Sequence, residues 1–197
     1  MSAWETMLRR QLDHAASPLT RHRLLLAHFD YAWDRARPRM EGLTDDEYFW
    51  EPAPGCWTVR RQPDGSFMPD WASPEPSPAP FTTVAWRMSH IGFFLNQRAN
   101  HRFGDGSLTP MNAHWPGSAA AAIEWVDVGH DAFRRGVEAL TDEDLDRHPQ
   151  GPPGHLDTRF PLAMNVQHIT LELIHHGAEV SLLRDLYRAR QGAVVDA

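Results

Sequence analysis

The sequence predicts an all-α protein, a four-helix bundle with long Pro/Gly-rich loops, in one domain spanning residues 1–197. Three observations carry that prediction. Four long stretches repeat apolar residues at helical spacing, separated by proline- and glycine-rich segments. No stretch alternates apolar and polar residues strongly enough to build a sheet, and no internal repeat is evident. In the last stretch, Asn165, His168, Glu172, His175, His176 and Glu179 fall within roughly a third of a turn at about 100° per residue. The rest of that stretch is largely Leu, Ile and Val. A helix apolar almost all round is usually buried, so the polar stripe is expected inside the protein, where something must satisfy it.

Taken in order, residues 1–17 read as a short helical or loosely ordered leader. The first main helix starts after Pro18 and runs through Leu24 to Trp33 as far as about Arg37, where Pro38 disfavours continuation. Thr44 with Glu47 three residues on forms a capping box that starts a short helix. His28 reads as a core or surface histidine rather than a ligand. Residues 52–80 are too rich in Pro, Gly and Ser for a regular helix. Trp57, Phe67, Met68 and Trp71 suggest that part of this segment packs on the body over a cleft; a mobile insertion is the competing reading.

The second main helix is capped by Thr82 or Thr83 and reaches about His101, with His90 among Trp86, Met88, Ile91, Phe93 and Phe94. Ser118 begins an alanine-rich third helix that ends near Leu140, and Thr141 to Asp144 supplies a second capping box. A connector with Pro149, Pro152, Pro153 and Gly154 leads to Pro161, a first-turn proline for the fourth helix, which extends through Arg188. The tail 192–197 is expected to fray.

Composition narrows the function. A net charge of −7 argues against a general nucleic-acid or anionic-membrane binder, which needs a basic surface. The chain has no lysine, which excludes a Schiff-base lysine. One cysteine, Cys56, cannot form an internal disulfide and fits a reducing compartment. The charged N-terminus lacks a signal-peptide core, and no apolar run approaches the ~20 residues a membrane span needs. The expectation is a cytoplasmic protein acting on a small molecule. There is no G-x-S-x-G, Walker A or G-x-G-x-x-G motif.

The chemistry lies in the stripe. Glu172 and His176 are four apart and project from one helical face, and His168 lies one turn earlier. Helical bundles build metal sites from facing helices, so His90 is the natural third donor. The preferred set is His90, Glu172 and His176, with His168 and His175 as rivals or as residues that orient the ligands. Three such ligands plus an exchangeable position make a catalytic type of site for Zn, and they also suit Fe(II), Mn or Ni. A buried polar network with water, or a solvent-facing histidine stripe, is the alternative.

Trp50 to Val59, the histidine of Trp86-Arg87-Met88-Ser89-His90, and the run from His168 to Tyr187 resemble the DinB-like (damage-inducible, YfiT-like) metalloprotein superfamily. The resemblance covers roughly Leu19 to Arg188, with 62–80 as an insertion. It implies an up-down-down-up bundle whose metal is held by one histidine of the second helix and two residues of the fourth. Many members carry His-x-x-x-His there; this chain has Glu172-x-x-x-His176, similar to the mycothiol-dependent maleylpyruvate isomerase branch. The resemblance implies an enzyme using a low-molecular-weight thiol, as an S-transferase or isomerase, with Arg87, Arg98 or His175 available to substrate carboxylates. A metal-dependent hydrolase and a non-catalytic metal- or ligand-binding bundle are the competing functions. Dimerisation through an apolar helix face is also expected.

Overall fold

Side-chain caps start the long helices where the sequence places them. In the computed structural model, which describes residues 3–16, 18–149 and 159–195, Thr20 accepts from Arg23 N to open α2 (Arg21–Ala36). Thr83 does the same with Trp86 N for α4 (Val84–Phe103), and Ser118 with Ala121 N for α5 (Ala119–Glu138). Each hydroxyl satisfies an amide that has no partner within its helix. Pro161 stands one residue before α6 (Leu162–Val195), rather than in its first turn, and its carbonyl accepts from Met164 N and Asn165 N. α6 continues past Gly192, where fraying was expected. The Pro149–Gly154 connector falls largely outside the described residues.

The two capping boxes behave differently. Thr141 and Asp144 close reciprocally, at 2.8 and 3.2 Å, ahead of a 3-10 turn at Asp144–Asp146. Thr44 caps the single-turn α3 (Asp45–Tyr48), but Glu47 does not reach back. Its carboxylate instead receives Arg184 Nε and NH2 from α6 at 2.7 and 3.0 Å, in a pair that is 4% and 1% exposed. Arg184 also donates to the carbonyls of Arg39 and Glu41.

Contacts between the long helices set their directions. α4 and α5 run the same way: a Cβ on Gly92 would meet Trp125, one on Gly129 would lie 2.5 Å from Asn96, and Gly136 faces Phe103. α2 and α6 also run together, Ala36 against Gly177 and Arg39 pairing with Asp185 just beyond. α4 opposes α6, since Arg87 pairs with Glu179, His90 with Glu172, and Arg102 with Asn165. α2 opposes α5 through His22 with Val137, Asp30 with Arg134 and Arg37 with Asp127. Between them lies an apolar core that includes Phe29, Met88, Ile91, Leu95, Phe133, Ile169, Leu173 and Val180.

Three expectations need correction. The chain does form a small sheet, β1 (Val59–Arg61) antiparallel to β2 (Phe67–Pro69), closed by a turn with Gly65 at φ +88°. Asp64 Oδ1 accepts from Ser66 N and Oγ there. Secondly, α6 is not buried all round: Leu171, Ile174, Leu182 and Leu186 are exposed. α4 covers one face of α6 and α2 another, which leaves the third open. Thirdly, Trp71 does not join the part of the 52–80 segment that packs on the body. Trp57, Phe67 and Met68 are half-buried, whereas Trp71 is exposed. No helix among the described residues is long and apolar enough to cross a membrane.

The leader forms α1 (Ala3–Ala15), which docks on α2 through buried Met7, Arg10 with Asp34 (3.0 Å), and His14 with Asp30 (3.0 Å). Asp30 is fully buried and accepts both Arg134 Nε and NH2, at 2.7 and 2.9 Å. Burial pushes its carboxyl up, but the bonds from Arg134 and His14 and the charges of Arg134 and Arg10 outweigh burial and hold it below the ordinary range. A carboxyl that binds protons less well folded than unfolded stabilises the fold above its unfolded value, near 4. That contribution is lost as pH falls through the lower folded value. Urea denaturation from pH 6 down to pH 2.5 should therefore show Asp30→Asn losing less stability on acidification than the wild type. Parallel losses would exclude this carboxylate as a source of acid sensitivity.

Candidate metal centre

Because α4 and α6 oppose one another, His90 and the stripe of α6 meet face to face. His90 Nε2 lies 3.1 Å and His176 Nε2 3.0 Å from the same oxygen, Glu172 Oε2. The donor atoms of the three residues all lie within 4.8 Å of one another. The side chains of His90, Glu172 and His176 are 25, 20 and 8% exposed, so the cluster is walled by protein yet open on one side. Tetrahedral zinc with ~2.0–2.1 Å bonds separates its donors by roughly 3.4 Å. The two His–Glu172 edges, 3.1 and 3.0 Å, need to open by only a few tenths of an ångström to match.

Protonation fits as well. Burial, and then the neighbouring His176 ring, push His90 down to about 4 despite the pull of Glu172. His90 is therefore neutral near pH 7. Burial pushes Glu172 up, but the hydrogen bond from His90 and the adjoining His90, His176 and His168 outweigh it, and its carboxyl is held below the ordinary range. A neutral imidazole and an ionised carboxylate bind a cation without first losing a proton.

The surroundings hold these three side chains in place. His176 Nδ1 is 2.6 Å from Glu179 Oε2, so a carboxylate that accepts a hydrogen bond from Nδ1–H leaves Nε2 with its lone pair toward the cluster. Arg87, one turn before His90, places Nε 3.0 Å from the same Glu179 oxygen. Trp86 stacks on His90 at 5.2 Å and 19°, with Phe94 on the other side at 4.6 Å. Trp86 Nε1 in turn donates to the Asp70 carbonyl at 2.7 Å, which ties the 52–80 segment to this site.

Of the predicted residues, His90, Glu172 and His176 come together. His168 stands outside the triad: it is 47% exposed and 3.2 Å from the other oxygen, Glu172 Oε1. His175 is 63% exposed, stacks on His176, and joins His176 and Glu179 in a second His/Glu group. Arg98 is buried in α4, with its guanidinium over Phe94, and His28 lies exposed on α2. Sequence reasoning placed Glu179 in the stripe without a role; its spacing of three from His176 was the available signal. Trp86 and Asp70 carried no sequence signal of their own.

Fold and site together define an all-α protein with a His/Glu group, between two opposed helices, suited to a divalent metal. A family model of the DinB superfamily matches residues 28–180, and the chain belongs to that superfamily. The match takes in α4 and the part of α6 that carries Glu172 and His176, and leaves out α1. No curated protein and no solved structure matches the chain.

If Glu179 orients His176, Glu179→Gln should keep the fold and weaken zinc binding about 10–100-fold. Competition with a chromophoric chelator measures this; an unchanged affinity would remove Glu179 from the site.

Proposed function

We propose that this protein is a DinB-like metalloenzyme. It holds a divalent ion, zinc first and nickel, manganese or iron as alternatives, on His90, Glu172 and His176. The observation that carries the proposal is the convergence of two imidazole Nε2 atoms, from separate helices, on one oxygen of Glu172. The pairings of α2, α4, α5 and α6 support reading these helices as an up-down-down-up bundle, with 62–80 as an insertion in a single domain.

The reaction proposed is transfer of a low-molecular-weight thiol to a small electrophile, or thiol-assisted isomerisation, as the Glu172-x-x-x-His176 spacing suggests. A divalent ion supplies the positive charge that lowers a thiol's pKa and makes it nucleophilic at neutral pH. The chain's own residues prepare the place. Glu179 holds the Nδ1 proton of His176, His168 steadies Glu172, and Trp86 with Phe94 shields His90 from water. Three protein donors leave room for a fourth from the substrate side.

Cobalt-substituted protein tests this directly. Titration with low-molecular-weight thiols, mycothiol among them, should change the visible d–d bands and add a sulfur-to-metal charge-transfer band. A spectrum indifferent to every thiol would overturn the thiol reading and leave a hydrolase or a binding protein.

A further inference from the structure

Behind the Arg87–Glu179 pair a cavity of about 340 Å³ opens between α6 and the 79–82 stretch, and nothing derived so far uses it. Leu183 and Leu186 of α6 form one wall and Pro80 and Phe81 the other, while Arg87 and Glu179 stand where it adjoins His176. Apart from Thr82, the lining is apolar except for Arg87 and Glu179.

The charges at that end are unequally committed. Glu179 Oε2 is engaged by His176 Nδ1 at 2.6 Å and by Arg87 Nε at 3.0 Å. Arg87 NH1 lies 3.3 Å from His176 Nδ1. While that nitrogen keeps its proton and donates it in a hydrogen bond to Glu179, it has no lone pair to accept from Arg87. The NH1–NH2 edge of the guanidinium is then left without an acceptor among the described residues. This edge is the part of arginine that matches a carboxylate with two parallel hydrogen bonds.

We infer that this cavity binds a small apolar carboxylate, its hydrocarbon body between Leu183, Leu186, Pro80 and Phe81 and its carboxylate on Arg87, beside the metal group. At this size the cavity lies at the small end of ligand pockets, which suits a short acyl chain or a single ring rather than a nucleotide. The inference rests on the proposed function in taking this ligand as the substrate-side partner of that site. It adds that the partner is an apolar monoanion, for which the apolar walls supply affinity and Arg87 supplies selection by charge.

The test is calorimetric titration of the metal-loaded protein with octanoate, octanol and octylamine, with metal content measured on the same samples. Octanoate should bind at least about tenfold more tightly than the other two, and Arg87→Gln should remove that preference. Leu186→Glu, at a half-exposed position that does not endanger folding, should abolish octanoate binding by placing a carboxylate in the cavity. Octylamine binding as well as octanoate, or octanoate binding unchanged in either variant, would overturn the inference even with metal fully bound. Arg87-dependent octanoate binding by a chain that takes up no metal would support the cavity and refute the metal centre.

Discussion

Replacing His176 with alanine should abolish metal binding, and so should replacing His90. Each supplies one of only two imidazoles in the group, on different helices, and neither His168 nor His175 is placed to substitute. The loss should exceed the ~10–100-fold expected when an orienting partner is removed. Near-stoichiometric metal in the wild type, falling to background in both variants with helical content unchanged, is the expected result by plasma mass spectrometry and circular dichroism. His175→Ala serves as the control and should retain metal. If His176→Ala keeps its metal and His175→Ala loses it, coordination has shifted to the exposed group of α6.

The second large effect is on stability. Arg184 is buried with Glu47, and removing one member of a buried ion pair leaves the other charge uncompensated, which costs about 3–5 kcal/mol. Arg184→Leu also strands the carbonyls of Arg39 and Glu41. A drop in melting temperature on the order of 10 °C is expected for a chain of this size. The Glu47→Leu/Arg184→Leu double variant should recover part of it, because two apolar side chains leave no buried charge. A single variant as stable as the wild type would show that solvent reaches this pair.

This pair also shows where sequence reasoning stopped. Thr44 and Glu47 have capping-box spacing, and Thr44 does cap. Glu47, however, is claimed by Arg184, 137 residues away, and local spacing carries no information about such a partner. Thr141 and Asp144 have no distant competitor in their box, and they close as local chemistry predicts. The starts of α4 and α5 were legible because the hydroxyls of Thr83 and Ser118 act on amides three residues away. The hairpin turn has a local signal too: Pro63-Asp64-Gly65-Ser66 carries turn chemistry, within a segment whose many prolines argue against regular structure.

For the site, the sequence supplied the candidates and the fold supplied their ranking. The spacing of Glu172 and His176 put them on one face, but His168 shares that face equally well by periodicity alone. The opposed run of α4 decides between them, since His90 arrives level with Glu172 and His176 and His168 is left at the open edge. Buried and exposed histidines of one stripe cannot be told apart without knowing which helix covers it. For the same reason the apolar residues Leu171 and Ile174 read as core and lie at the surface.

Anomalous diffraction from crystals of zinc-loaded wild-type protein tests the central claim most directly. The account predicts one strong peak between α4 and α6, within bonding distance of His90 Nε2, His176 Nε2 and a Glu172 oxygen, about 2.0–2.2 Å. A peak confined to His175 and Glu179, or none after loading with zinc, nickel, manganese and iron(II) in turn, would contradict it.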